Sequence, residues 1–313
     1  MVAQATKVTV NFMESPFERQ EHRRVMVTGT GGLGLEAAKT LAELGATIII
    51  AGRDQAKGEA TLNEIVSHAP SAHADFELVD LASLASIRAM VQRQLDDGEP
   101  LDVLINNAGI MSPPQRRLTV DGFEAQFGTN HLGHFALTLG LLPLLRKSAA
   151  ARVVHVTSIA HRYGQLDFAD LQNERHYKAG VAYCQSKLAV ALFARELQRR
   201  AEASEWSLQS MAAHPGFATT NLFAAEQGAR SFATLFSTKV IAPLLGHSAQ
   251  QGSQPIVFAA ASPAASGGKL YGPTGFMEMK GPPGECAFAR TAQDHEASAR
   301  LWTESERLVG MSL

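Results

Sequence analysis

The sequence predicts an α/β fold, a single doubly wound parallel sheet. Three observations predict it. From Val25 onward, short β-branched runs alternate with amphipathic stretches of about ten residues or more, the rhythm of strands and crossover helices. The runs are nearly continuous in apolar residues, as strands covered on both faces must be. No Pro/Ser-rich linker or break in composition divides the 313 residues, so one domain is expected where length alone suggests about two.

Taken in order, the strand candidates are residues 25–27, 47–50, 76–79, 103–105, 153–156 and 208–212. A helix over residues 35–44 follows the first strand. Two later helices carry start signals, Asp54 before residues 55–67 and Ser83 before residues 84–95, whose side-chain oxygens can accept first-turn amides. Residues 293–308 read as a terminal amphipathic helix. The stretch 216–250 breaks the rhythm: it is apolar, rich in small residues, and carries Phe217, Phe223, Phe232 and Phe236. It is expected to be a lid over a pocket. The expected division is thus an N-terminal extension, 1–23, and one catalytic domain, 24–313.

Composition removes several function classes. The chain is 45% hydrophobic and 19% charged, an ordinary globular balance that excludes disorder and collagen. With 28 basic against 30 acidic side chains and no basic run, there is no field to gather phosphate backbones, so no nucleic-acid partner is expected. Cys184 and Cys286 cannot make a disulfide framework, and no Cys/His pairs stand at metal-ligand spacing, so no metal is expected. Residues 1–24 carry Glu14, Glu18 and Glu21 among short apolar runs and lack a signal-peptide core or a spanning stretch. The expectation is a cytoplasmic protein without a membrane anchor.

Directly after the first strand stands Gly29-Thr30-Gly31-Gly32-Leu33-Gly34, a G-x-G-x-x-G opening a helix. Glycines there permit the tight turn and close approach of backbone to a pyrophosphate, which the helix N-terminus attracts. A dinucleotide is the expected cofactor. NAD-specific sites place a carboxylate about 20 residues beyond the glycines, at the end of the second strand. Here that strand runs out at Ala51-Gly52-Arg53-Asp54, with no acid where one is needed and a guanidinium beside it for a 2′-phosphate. NADP(H) is favoured over NAD(H). Asp54 reads mainly as a helix cap, and Asp80 either as an adenine acceptor or as a turn former.

Further motifs occur in order: Asn106-Asn107-Ala108-Gly109, Asn130 in Asn130-His131-Leu132-Gly133, Ser158 after Val156-Thr157, Tyr183-Cys184-Gln185-Ser186-Lys187, and His214-Pro215-Gly216. Together with the glycine turn they resemble the short-chain dehydrogenase/reductase superfamily over roughly residues 24–275. The resemblance implies a Rossmann-type sheet of order 3-2-1-4-5-6-7 with helices on both faces and a small substrate lid. It also implies a catalytic tetrad of Asn130, Ser158, Tyr183 and Lys187. The implied cofactor contacts are Gly29, Thr30, Gly31, Gly32, Leu33, Gly34, Arg53, Asp80, Leu81, Asn107, Ala108, Gly109, Tyr183, Lys187, Pro215, Gly216 and Thr219. Two departures stand out. The family's T-G-x-x-x-G-x-G is one residue shorter here, and Ser158 and Tyr183 stand 25 residues apart, longer than the family's usual interval. The added residues, with Leu270-Tyr271-Gly272-Pro273, resemble the branch of retinol dehydrogenases, WW-domain oxidoreductases and light-dependent protochlorophyllide reductases.

The residue types suit the chemistry. Tyr183 and Lys187, four apart, share a helix face, and an ammonium there is expected to favour the ionised phenol. In reduction Tyr183 would protonate the developing alkoxide, Ser158 would hold the substrate oxygen, and Asn130 would position a water leading from Lys187 to solvent. Cys184, with no base beside it, reads as a packing residue, and His131 and His134 as helix-face histidines, since no third ligand is identifiable. The expected activity is NADP(H)-dependent hydride transfer to or from an apolar ketone, aldehyde or alcohol; a homo-oligomer is compatible with the sequence. The alternatives are nucleotide-sugar epimerase or dehydratase chemistry and a silent dinucleotide sensor that binds a protein partner.

Overall fold

The computed structural model describes residues 17–217 and 247–313. Eight strands form one sheet in the order β3-β2-β1-β4-β5-β6-β7-β8. They are β1 (Arg24–Thr28), β2 (Thr47–Gly52), β3 (Ala74–Leu78), β4 (Val103–Asn106), β5 (Ala151–Val156), β6 (Leu208–Ala213), β7 (Leu270–Pro273) and β8 (Pro283–Cys286). All pairings are parallel except β7 with β8, which forms a hairpin at one edge. The expected order is present, with the antiparallel β8 added. Its Pro-Gly-Glu-Cys sequence offers neither alternation nor β-branching, so nothing local announces a strand.

The helices among the described residues are α1 (Gly32–Glu43), α2 (Gln55–His68), α3 (Leu84–Asp97), the single turn α4 (Ala125–Phe127), α5 (Gly133–Leu145), α6 (Ala179–Ala203), α7 (Ala249–Ala261) and α8 (His295–Val309). Alternate strand residues feed two apolar layers. Val25, Val27, Ile48, Ile50, Val103 and Ile105 face α1, α2 and α7. Met26, Ile49, Leu104 and Val153 face α3, α5, α6 and α8, where Phe135, Phe193 and Trp302 meet. Both sheet faces are covered, which is why the strands read as continuous apolar runs.

Three expectations shift. The third strand starts two residues early, at Ala74; it is an edge strand with the sequence ADFEL, paired with β2 alone, and so need not be apolar throughout. Helix α1 begins at Gly32 rather than at residue 35, so the last glycines form its first turn. Residues 248–250, counted with the lid, instead open α7, where Ser248 and Gln251 form a capping box. Residues 218–246 of that lid, with Phe223, Phe232 and Phe236, lie outside the described residues. Among residues 17–23, Gln20 is buried and its amide bonds Leu44 O, while Arg23 reaches Ala150 O.

Candidate active site

Parallel strands deliver their C-terminal ends to one edge, and the functional candidates collect there. Thr28, the last residue of β1, accepts the amides of Asn107 (2.8 Å) and Ala108 (3.0 Å) through its hydroxyl. The Asn107 side chain donates to Thr28 O at 2.8 Å and rests on Gly29, 3.1 Å from where a Cβ would stand. Gly29 (φ 99°) and Gly32 (φ 57°) occupy the left-handed region that admits glycine without strain. Helix α1 has no side-chain cap at Gly31, whereas α2, α3, α7 and α8 are capped by Asp54, Ser83, Ser248 and Asp294. Its first-turn amides therefore suit a pyrophosphate, and the glycine turn fits a dinucleotide.

The shortened turn is held from outside. Thr61, on α2, places its hydroxyl 2.7 Å from Thr30 O and 2.8 Å from Lys57 O, sharing one proton between them. No local motif marks Thr61, because the contact spans 31 residues. Thr30 in turn covers the end of β2: a Cβ on Gly52 would lie 2.7 Å from Thr30 Cγ2. Arg53 is exposed and has no ion-pair partner among the described residues. Asp54 accepts Lys57 N–H at 3.1 Å, the capping role expected of it. Asp80 bonds Ala82 N–H at 3.0 Å and so makes a turn, while the Leu81 side chain is buried in the core. Leu33, in the first turn of α1, is partly buried against the core.

Ser158 follows β5 and caps a 3-10 turn, Ile159–Tyr163, by accepting Ala160 N–H at 3.2 Å. Its hydroxyl also faces the Tyr183 phenol and acts to favour the ionised form. Lys187 Nζ lies 5.9 Å from the centre of the Tyr183 ring and donates to Val156 O at 3.0 Å. Burial pushes the lysine down to about 8 and the phenol up to about 12. The ammonium was expected to favour the phenolate; in the structure the net direction is the opposite. The charge sits over the ring rather than at the hydroxyl, and loss of water outweighs it.

Asn130 sits in a π turn, Gly128–Leu132, leading into α5. Its side chain brackets one backbone unit: Oδ1 accepts Ile110 N–H (2.8 Å), and Nδ2 donates to Ile110 O (3.0 Å) and Ser186 Oγ (3.0 Å). A Cβ on Gly109 would stand 3.0 Å from Asn130 Oδ1 and 3.6 Å from Lys187 Nζ, so a glycine lets the three meet. The Asn130 carbonyl accepts His134 Nδ1–H at 3.0 Å, which leaves Nε2 to accept the Thr28 hydroxyl at 2.9 Å. His134 thereby ties Asn130 to Thr28, the residue before the glycine turn. His131, His134 and His155 are fully buried, and burial pushes them down to about 3, 4 and 3, so they are neutral. The reading of His131 and His134 as helix-face histidines resolves into core hydrogen bonding.

After β6, Pro215 O accepts from His247 Nε2 at 2.6 Å, Gly216 is left-handed (φ 68°), and Phe217 N–H reaches Met279 O at 2.9 Å. Thr219 lies outside the described residues. The segment that lengthens the Ser158–Tyr183 interval supplies His161, which donates through Nδ1 to Ser158 O (2.6 Å) and accepts Ala289 N–H at Nε2 (3.2 Å). It also supplies Arg162, paired with Glu278 at 2.6 Å. Neither residue was singled out as a site residue from sequence, since their partners come from the C-terminal hairpin region.

Comparison with known proteins agrees with this arrangement. The family model for short chain dehydrogenase matches residues 23–230. Retinol dehydrogenase 13 of Homo sapiens is 40% identical over 296 residues, covering 92% of this chain and 85% of that protein. Polyprenol dehydrogenase of Mus musculus is 40% identical over 298 residues, covering 93% and 85%. A crystal structure of an uncharacterized Mycobacterium Paratuberculosis protein superposes with a TM-score of 0.77 at 38% identity, over 95% of this chain and 96% of that one. The NADP complex of Pseudomonas aeruginosa RhlG, 24% identical with a TM-score of 0.65 over 82% of this chain and 96% of that one, shares the fold. On its sequence match, its sheet order and its assembled sheet edge, the chain belongs to the short-chain dehydrogenase family of oxidoreductases.

Proposed function

We propose that this oxidoreductase uses NADP(H) and interconverts an apolar ketone or aldehyde with its alcohol. The observation that carries the reading is the convergence of Ser158, Tyr183 and Lys187 at the sheet edge, beside the glycine turn. A bound nicotinamide would supply or accept the hydride. Tyr183, desolvated and protonated, donates its proton to the substrate oxygen in the reductive direction. Ser158 donates a hydrogen bond to that oxygen and keeps it in line, stabilising the charge that develops there. Lys187, buried behind the ring, supplies positive charge that makes loss of the phenol proton less costly than its resting value implies. Asn130 holds the Ile110 backbone and so fixes the wall against which Lys187 stands.

Gly29, Thr30, Gly31, Gly32 and Gly34 would hold the pyrophosphate, Asn107, Ala108 and Gly109 would border the adjoining ribose, and Pro215 and Gly216 would border the nicotinamide. The preference for NADP(H) rests on Arg53, which is exposed and has no carboxylate partner among the described residues, and on Thr30, whose methyl fills the place an acid at residue 52 needs. The names of the two mammalian relatives, for retinol and polyprenol, are those of hydrocarbon-rich alcohols and support an apolar substrate. No helix among the described residues is long and apolar enough to cross a membrane. The test is titration with NADPH and NADH followed by nicotinamide fluorescence, then NADPH oxidation across a carbonyl panel. Tighter NADH binding overturns the cofactor assignment, and NADPH binding without turnover of any carbonyl overturns the enzyme.

A further inference from the structure

Outside the tetrad, a close group of chemistry-bearing side chains among the described residues lies beside the Pro215–Gly216 turn. His214 is fully buried there. Its Nδ1 accepts Gly216 N–H at 3.2 Å, so in the neutral ring the proton sits on Nε2, which points at Glu278 Oε2 3.0 Å away. The same carboxylate oxygen is 2.6 Å from Arg162 Nη2. The three side chains come from three segments: the turn after Ser158, the strand end at β6, and the loop between β7 and β8.

We propose that His214 is a positioning residue, oriented by the Arg162–Glu278 ion pair, whose imidazole fixes the Gly216 amide and with it the Pro215–Gly216 turn against the nicotinamide end of the cofactor. The inference rests on the reading of that turn as the nicotinamide border. Space around the relay is fully committed. Where Gly216 would carry a Cβ stand the carbonyls of Glu278 and Met279, and the His214 ring lies directly against Gly272. Met277 (φ 51°) and Glu278 (φ 56°) are both left-handed although neither is glycine. Such a conformation persists where its surroundings over-determine it, and here it turns the carboxylate onto the imidazole and the guanidinium. Those two groups hold the Glu278 carboxyl down at about 2, so the anchor is ionised at every working pH. The lengthened segment after Ser158 thereby gains a purpose: it brings Arg162 to the relay.

The donor atoms of His214, Glu278 and Cys286 lie within 4.8 Å of one another, so a metal centre is the competing reading. The hydrogen bonds speak against it. A metal on Nε2 needs the ring proton on Nδ1, which would then face the Gly216 N–H donor to donor. The Arg162 guanidinium beside the carboxylate opposes a dication, and burial with the neighbouring carboxylate pushes the Cys286 thiol up to about 12.

The test compares the full-length protein with His214→Leu, His214→Asn and Glu278→Gln, reading dissociation constants for NADPH and for 2′-phospho-ADP-ribose, which lacks the nicotinamide. Losing one buried hydrogen bond, worth about 1.4 kcal/mol, predicts roughly tenfold weaker NADPH binding by His214→Leu, with the fragment unchanged. His214→Asn, whose Oδ1 stands where Nδ1 was, retains NADPH affinity within about threefold; Glu278→Gln, which is isosteric and whose folding is checked by its thermal melt, weakens NADPH but not the fragment. Unchanged NADPH affinity in both His214→Leu and Glu278→Gln, or equal loss of both ligands, overturns the relay alone. A wild-type chain that binds the fragment but not NADPH overturns the nicotinamide reading together with it. Stoichiometric Zn²⁺ binding by calorimetry that disappears in Cys286→Ala replaces the relay by a metal site.

Discussion

Replacing Lys187 by Met should make the cofactor-free protein more stable while abolishing its activity. The ammonium is buried, donates only to Val156 O among the described contacts, and has its pKa pushed from the ordinary 10.5 to about 8 by burial. At about 1.4 kcal/mol per pKa unit, holding that charge costs the fold roughly 3 kcal/mol. Methionine fills a similar volume without charge, and loss of the bond to Val156 O offsets about 1 kcal/mol, leaving a net gain of about 2 kcal/mol. For a chain of 313 residues that is roughly 3 °C in Tm. The sign with pH follows from proton binding. Between about 8 and 10.5 the unfolded chain holds the proton that the folded chain has lost, so the stability of the native protein rises with pH through that window. The advantage of Lys187→Met is therefore full below pH 8 and fades toward pH 10.5. Thermal melts from pH 6.5 to pH 10.5 read it directly. A variant less stable than wild type at neutral pH, or a gain that ignores pH, refutes the picture of a lysine kept at the site against the interest of the fold.

Tyr183→Phe should lower kcat by about 10²- to 10⁴-fold with NADPH affinity nearly intact, since the ring still packs but no proton is delivered; steady-state rates and fluorescence titration read the two halves. Arg53→Ala should weaken NADPH about tenfold and spare NADH, the loss of one charge-assisted contact to phosphate. Gly52→Asp alone should weaken both cofactors because Thr30 occupies its space, and adding Thr30→Ala should restore NADH binding; competitive titrations read both variants. Thr61→Val should weaken either dinucleotide several-fold by freeing the Thr30 carbonyl, with fluorescence titration as the readout. Trp302→Ala, which empties a site packed by Phe135 and Phe193, should cost about 3–5 kcal/mol in urea unfolding without changing KM.

Much of the candidate site was legible because its signals are local. Gly29 and Gly32 need left-handed backbone, the Tyr183–Lys187 spacing is one helical turn, and Ser158 and Pro215 follow strands whose apolar runs are plain. Those features need only neighbours in the chain. Thr61, His134, His161, Arg162, His214 and Glu278 were not singled out as candidate site residues because each acts through a partner on another element, from 31 residues away in the bond of Thr61 to Thr30 to 128 in the bond of His161 to Ala289. Sequence periodicity carries no information about which buried polar group another will meet.

By itself, the sequence determined the parallel sheet, its strand order through the resemblance it carried, and the residue types brought to the edge: covered strands must be apolar, and a phosphate turn must be glycine. Tertiary structure alone decided the protonation of the tyrosine, because the desolvation that lifts it and the distance to Lys187 are properties of packing. It likewise decided that Thr30 fills the place of an acid at residue 52, and that the C-terminal hairpin reaches back to the Pro215–Gly216 turn. These depend on contacts between segments remote in the chain, and such contacts exist only once the sheet has closed them into one edge.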